Sequence, residues 1–72
     1  MFNKLKLKGK IAESGLTQAE IAEKIGISAQ SLNAKVNGAR PFNADEIQKL
    51  IPAISLTNED LVSIFFATDV DR

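Results

Sequence analysis

Two amide side chains, Gln30 and Asn33, stand three residues apart in the run from Ser28 to Gly38, SAQSLNAKVNG. A carboxamide carries a donor and an acceptor side by side, which matches the exposed edge of adenine. Each good bidentate pair of this kind discriminates against a wrong base by about 1–3 kcal/mol. Ser31 and Asn37 add further hydrogen-bonding groups to the run, and Lys35 and Arg40 are cations of the kind that meet phosphate. The same polar groups would also serve simply to solvate a helix face. Bond-making chemistry lacks its usual groups. The chain has no histidine and no cysteine, which removes the commonest general base, the commonest metal ligand and any thiolate site or disulfide. The carboxylate pairs Asp45-Glu46 and Glu59-Asp60 fit the first turns of helices, and capping explains them better than a metal site. The expectation is a binding protein, not an enzyme, with no cofactor, no metal and no small-molecule substrate.

Such residues need a rigid element to carry them. Thr17 to Gly38 reads as two short helices joined by a tight turn. Thr17 caps the first helix and Glu20 completes a capping box. Ile21, Ala22 and Ile25 fall on one face at helical spacing. Gly26 stops the helix, since glycine enters the left-handed region without a Cβ penalty. Ile27 plugs back into the core, and Ser28 caps the second helix, with cap the better role for it than base reader. Leu32 and Val36, four apart, form that helix's buried edge, so Gln30, Ser31, Asn33, Ala34 and Asn37 lie on its other faces. Asn37-Gly38 ends it. This is a helix-turn-helix layout, whose second helix can enter a DNA major groove.

At these residues the chain resembles the Cro-like helix-turn-helix family of phage repressors and bacterial regulators. The resemblance rests on Leu16-Thr17-Gln18, Ile21-Ala22-Glu23-Lys24, Ile25-Gly26-Ile27-Ser28 and Asn37-Gly38. It continues through Arg40-Pro41-Phe42 and Asp45-Glu46-Ile47 to Ile64-Phe65-Phe66, where it is similar to small phage proteins of the lysis–lysogeny switch. It implies a lambda-repressor-like DNA-binding domain, a double-stranded DNA operator as partner, and a phosphate contact at Gln18. One departure stands out. Members of the family often place a long polar or basic side chain directly after the cap, and here that position is Ala29. With Ala34 also small, the helix offers few base contacts. An alternative role follows: an antirepressor or modulator that binds a phage repressor protein and touches DNA little on its own.

The remaining elements follow in order. Asn3 caps a helix from about Lys4 to Ser14, closed by Gly15, with Leu7 and Ile11 facing inward. The alternation of Lys4, Lys6, Lys8 and Lys10 with Leu5 and Leu7 also fits a short strand, and the interior Gly9 weakens a helix, but the pattern continues past Lys10 to Glu13. These lysines are either a solvated face or a phosphate-facing one. Phe42 is a core plug. Asn43, with Glu46, caps a fourth helix edged by Ile47, Leu50 and Ile51 and ended by Pro52. Thr57 opens a fifth, with Leu61, Ile64 and Phe65 on the core side and Val62 and Phe66 on a neighbouring face. That is more apolar surface than a small core covers, so Val62, Phe65 and Phe66 are candidates for protein contact. A second copy, a repressor protein or the domain's own core could cover Phe66.

The result is an all-α fold, a compact five-helix bundle forming one domain over residues 1–72, with a polar tail from about residue 67. A hydrophobic fraction of 44% and a charged fraction of 25% are ordinary globular values. No apolar run approaches the roughly 20 residues that span a bilayer, and the lysine-bearing start lacks the apolar stretch of a signal peptide. The expected location is the cytoplasm, with no membrane partner. Net charge is zero, but it is divided: residues 1–40 hold seven basic against three acidic side chains, and residues 41–72 two basic against six acidic. The half that carries the helix pair is therefore the positive one, as a surface facing phosphate requires. The expected core is Leu7, Ile11, Ile21, Ile25, Leu32, Val36, Ile47, Leu50 and Leu61, with Ile64 and Phe65 beside them.

Overall fold

The computed structural model describes residues 2–66. Five helices follow one another: α1 (Lys4–Ser14), α2 (Gln18–Ile25), α3 (Ala29–Val36), α4 (Ala44–Ala53) and α5 (Asn58–Phe65). No strand occurs among the described residues. Every helix starts on a side-chain cap. Asn3, Thr17, Ser28, Asn43 and Thr57 each accept from a backbone N–H three residues on. Three of them also receive a carboxylate in return, from Glu20, Glu46 and Asp60, so donors that a helix start leaves unpaired are met from both sides.

The ends of α2, α3 and α4 share one geometry. The N–H groups of Ile27, Ala39 and Leu56 reach back to the carbonyls of Ala22, Ala34 and Ile51, at 3.0, 2.9 and 2.9 Å. A bond of that span needs the residue before the donor in the left-handed region. Gly26 and Gly38 adopt it at φ of 81° and 84°, and Ser55 does so at 55°. Pro52 does not end α4, as its type suggests; the helix runs on to Ala53. A proline this near a helix end removes one bond only, and Ile54 still donates to the Leu50 carbonyl at 3.1 Å. The reversal at Ser55 is what stops the helix.

α1 packs on α5 and α3, while α2 packs on α3 and α4. Leu7, Ile11, Ile21, Ala22, Ile25, Leu32, Val36, Leu50, Ile54, Leu56 and Ile64 form the core between them. Ile47 and Leu61 are only half-buried, contrary to the pattern reading. Their inner places go to Ile54 and Leu56, which flank Ser55; the left-handed turn folds both back under the bundle. A second apolar cluster lies at one end. Phe2, Phe42 and Phe65 meet there with ring centroids 5.7–6.2 Å apart, and the Asn3 N–H beside it donates to the Ile64 carbonyl at 2.7 Å. Phe65 is thus half-buried among aromatic rings and does not belong to the exposed face of α5. Val62 and Phe66 do, at 57% and 63% exposed. The polar tail expected from residue 67 lies outside the described residues.

Two outcomes follow. Ile25 is 2% exposed, so Ile25→Ala loses transfer free energy and leaves a cavity, together about 2–5 kcal/mol. Thermal unfolding followed by circular dichroism should show a midpoint lower by at least about 8 °C; a midpoint equal to the parent's would place Ile25 outside the core. Ser55→Gly should act in the opposite direction. The left-handed region costs a residue with a Cβ about 1–2 kcal/mol, more than the roughly 0.5–1 kcal/mol that glycine gives back in chain entropy. Urea denaturation should show a gain of up to about 1 kcal/mol, and a loss would mean that Ser55 carries no backbone strain.

Candidate nucleic-acid interface

Three residues, 26–28, separate α2 from α3. Gly26 reverses the chain, half-buried Ile27 packs against the core, and the Ser28 hydroxyl oxygen accepts from the Ser31 N–H at 3.0 Å. Ala22, 2% exposed, has only a methyl group where α2 lies against its neighbours. Burial of Leu32 and Val36 then sets the roll of α3. It leaves Gln30, Asn33 and Asn37 exposed, with Ser31 and Ala34 half-buried and Ala29 exposed.

The amides are joined to one another. Asn33 Nδ2 donates to Gln18 Oε1 at 3.2 Å, which links the start of α2 to the middle of α3. Asn37 Nδ2 donates to the Asn33 carbonyl at 2.9 Å and to its Oδ1 at 3.3 Å. Gln18 is engaged through its oxygen, so its N–H groups are what it offers an outside acceptor. Gln30 makes no side-chain hydrogen bond among the described residues. The structure thus brings Gln18, Asn33 and Asn37 together, with Gln30 free near the start of α3. Ser28 is tied to the helix start by accepting from the Ser31 backbone N–H, and the Ser31 side chain is half-buried.

The model of the DUF739 family, described as a protein of unknown function, matches residues 1–68. The chain belongs to the DUF739 family. No curated protein matches it.

The cations of this DUF739 chain divide into free and engaged. Lys35 is a correction to the sequence reading. It does not project as a phosphate partner, because its Nζ is hydrogen-bonded to Glu46 Oε2 and the two side chains are 10 and 8% exposed. Its position one residue before Val36 and three after Leu32, at the edge of the apolar stripe, is the sequence signal for that placement. Glu46 has two tasks. Its Oε1 accepts from the Asn43 N–H at 3.0 Å in the capping box, and its Oε2 holds Lys35. Burial on its own would raise the Glu46 pKa, but the hydrogen bond from Lys35, the Asn43 N–H and the Lys35 charge together hold it below its ordinary value.

Lys10 is engaged in the same way. Its Nζ lies 3.3 Å from Asp60 Oδ2 and 3.4 Å from Glu13 Oε1. The hydrogen bond to Asp60 raises the Lys10 pKa against the opposing effect of desolvation. Asp60 is held low by the Thr57 N–H first, against desolvation, and by Lys10 in addition. Lys49 pairs with Asp45 at 3.2 Å along α4, both well exposed. Lys4, Lys6, Lys8, Lys24 and Arg40 are exposed and without an ion-pair partner among the described residues. No group of three or more carboxylates placed to hold a metal occurs among those residues, and none of their helices is long and apolar enough to cross a membrane.

The Lys35–Glu46 pair makes a prediction with a defined sign. A carboxylate whose folded pKa is depressed contributes stability that is present above its unfolded value, ordinarily 4.5, and is lost as pH falls through the folded one. Glu46→Gln keeps an acceptor for the Asn43 N–H but leaves the Lys35 ammonium without its counter-charge. At pH 7 the variant should be less stable by about 1–3 kcal/mol. The gap should close as pH is lowered below about 4.5. Urea midpoints across that range measure it, and a constant gap would rule the ion pair out as its source.

Proposed function

We propose that α2 and α3 act as a helix-turn-helix and that the chain is a phage-type transcriptional regulator binding double-stranded DNA through α3. The observation that carries this reading is the outward face of α3. Gln30, Asn33 and Asn37 stand exposed on a helix whose opposite side is locked into the core, and Asn33 is steadied by Gln18 from the preceding helix. In such an arrangement Gln30 and Asn33 read base edges, while Gln18 and Arg40 meet phosphates on either side. The free lysines of α1, with Lys24, add a diffuse positive surface. The Cro-like resemblance supports the same assignment and, with it, a role in a lysis–lysogeny switch in the cytoplasm.

A second reading is favoured by a separate feature. Val62 and Phe66, four apart on α5, expose two large apolar side chains. A contiguous apolar patch of that kind on a small domain marks a contact surface. It suits an antirepressor or modulator that binds a phage repressor, or a homodimer, and either is compatible with DNA binding by α3.

The test is selection of duplexes from a random pool, followed by fluorescence anisotropy on those enriched. Gln30→Ala and Asn33→Ala should each weaken the selected site by about 1–3 kcal/mol and relax preference at one position. Arg40→Gln should weaken all duplexes alike and lower the salt slope by about one unit. Lys35→Gln should leave that slope unchanged. Failure to enrich any sequence, together with salt-independent affinity, would end the DNA-binding reading and leave the partner-binding one.

A further inference from the structure

A concave apolar site lies where the end of α3, the segment to α4 and the end of α5 converge. Its volume is about 380 Å³, within the range of sites that take a ligand or an anchoring side chain. Phe2, Phe42 and Phe65 wall it with rings that brace one another at 5.7–6.2 Å, and Phe66 stands at its lip, 63% exposed. Arg40 lies at the edge of the same groove. The described lining contains no carboxylate, and the nearby Glu46 is already committed to Lys35. Among the described residues, Arg40 is thus the cation of this mouth without a counter-charge, over an aromatic floor. Aromatic residues and arginine are the types that dominate contact energies at protein interfaces.

Charge selects the occupant. In a symmetric dimer the same patch meets itself, so a second copy would bring Arg40 towards its counterpart with no free carboxylate in the described lining to separate them. A partner segment with a bulky apolar side chain flanked by carboxylates has the opposite effect. Its side chain enters the ring-walled groove and its acid reaches Arg40. Val62, one helical turn before Phe66 on the outer face of α5, extends the apolar contact beyond the groove.

We infer that this groove is a docking site for an acidic, apolar peptide segment of another protein, with Arg40 as the charge reader and Phe66 as the lid of the pocket. The inference rests on the partner-binding reading above and supplies the chemistry of the partner.

The experiment uses the full chain and a short fluorescein-labelled peptide with leucine and phenylalanine four apart among glutamates. A control peptide has lysines in place of the glutamates. Fluorescence anisotropy should show saturable binding of the acidic peptide at least about tenfold tighter than that of the control. Arg40→Gln should shrink that preference to within about threefold. Phe66→Ser, at a position exposed enough to spare the fold, should weaken the acidic peptide about tenfold at an unchanged melting temperature. Amide shifts in ¹H–¹⁵N spectra should centre on Phe2, Gly38, Phe42 and Phe65. Equal affinity for the two peptides, or shifts elsewhere, overturns the inference. So does a dimer in sedimentation that Phe66→Ser dissolves, which makes a second copy the occupant. Tighter peptide binding by the Asp69→Asn, Asp71→Asn variant would assign the groove to the chain's own last residues instead. Binding of a phage repressor that survives both Arg40→Gln and Phe66→Ser would sink the groove and leave the partner-binding reading standing.

Discussion

The carboxylate of Glu46 holds two elements in register at once. One oxygen closes the start of α4 by accepting from the Asn43 backbone, and the other binds the Lys35 ammonium arriving from α3. In this buried place each charge would be costly without the other. A lysine brought to a helix N-terminus opposes the positive end of the helix dipole, and a carboxylate removed from water without a partner is costly. Together they neutralise each other, and the attachment ties the end of α3 to the start of α4. The same device recurs across the bundle, where Asp60 accepts from the Thr57 backbone and holds Lys10 of α1 against α5. A small domain without disulfides thereby gains specific helix-to-helix ties beside its apolar core.

That economy shapes the surface left for function. Two cations of the positive half are spent on structure, so the free charge next to α3 in the chain falls mainly to Arg40, with Lys24 on α2 beside α4 and the remaining free lysines on α1. Affinity for DNA built on so few phosphate contacts would be modest, since each contact contributes through the counterions it releases. The outward amides of α3 then matter more. The hydrogen bond between Asn33 and Gln18 preorganises one of them, which on the proposed DNA-binding reading would reduce the entropy lost in engaging a base edge.

Beside the end of α3 the surface is apolar. Phe2, Phe42 and Phe65 complete a cluster that ties Phe2 to α5 and covers the Phe65 ring that the main core leaves over. Phe66 and Val62 remain outside because a helix has more circumference than a core this size can cover. The groove beside them is a by-product of that geometry, walled by rings whose positions are settled by one another.

Much of this architecture is local, and the sequence by itself determined it. The five caps Asn3, Thr17, Ser28, Asn43 and Thr57 each act on a backbone group three residues away, so residue type and short spacing suffice to locate the helix starts. Gly26 and Gly38 end α2 and α3 for an equally local reason, the freedom of glycine at positive φ. The apolar spacing of α1, α2 and α3 likewise names Leu7, Ile11, Ile21, Ile25, Leu32 and Val36 as core. What only the tertiary structure decided depends on groups distant in the chain. The partnership of Lys35 with Glu46 turned an apparent phosphate contact into a buried tie. Ser55 took up a left-handed turn that glycine usually fills, which carried α4 past Pro52 and sent Ile54 and Leu56 inward in place of Ile47 and Leu61. Phe2 found Phe42 and Phe65, and so gave the core-side Phe65 aromatic neighbours that the spacing along α5 does not name. For Lys35 and Phe65 the deciding interaction spans helices, and periodicity along one helix carries no information about which neighbour will be there to receive the side chain; at Ser55 the turn is local, but the residue type does not announce it.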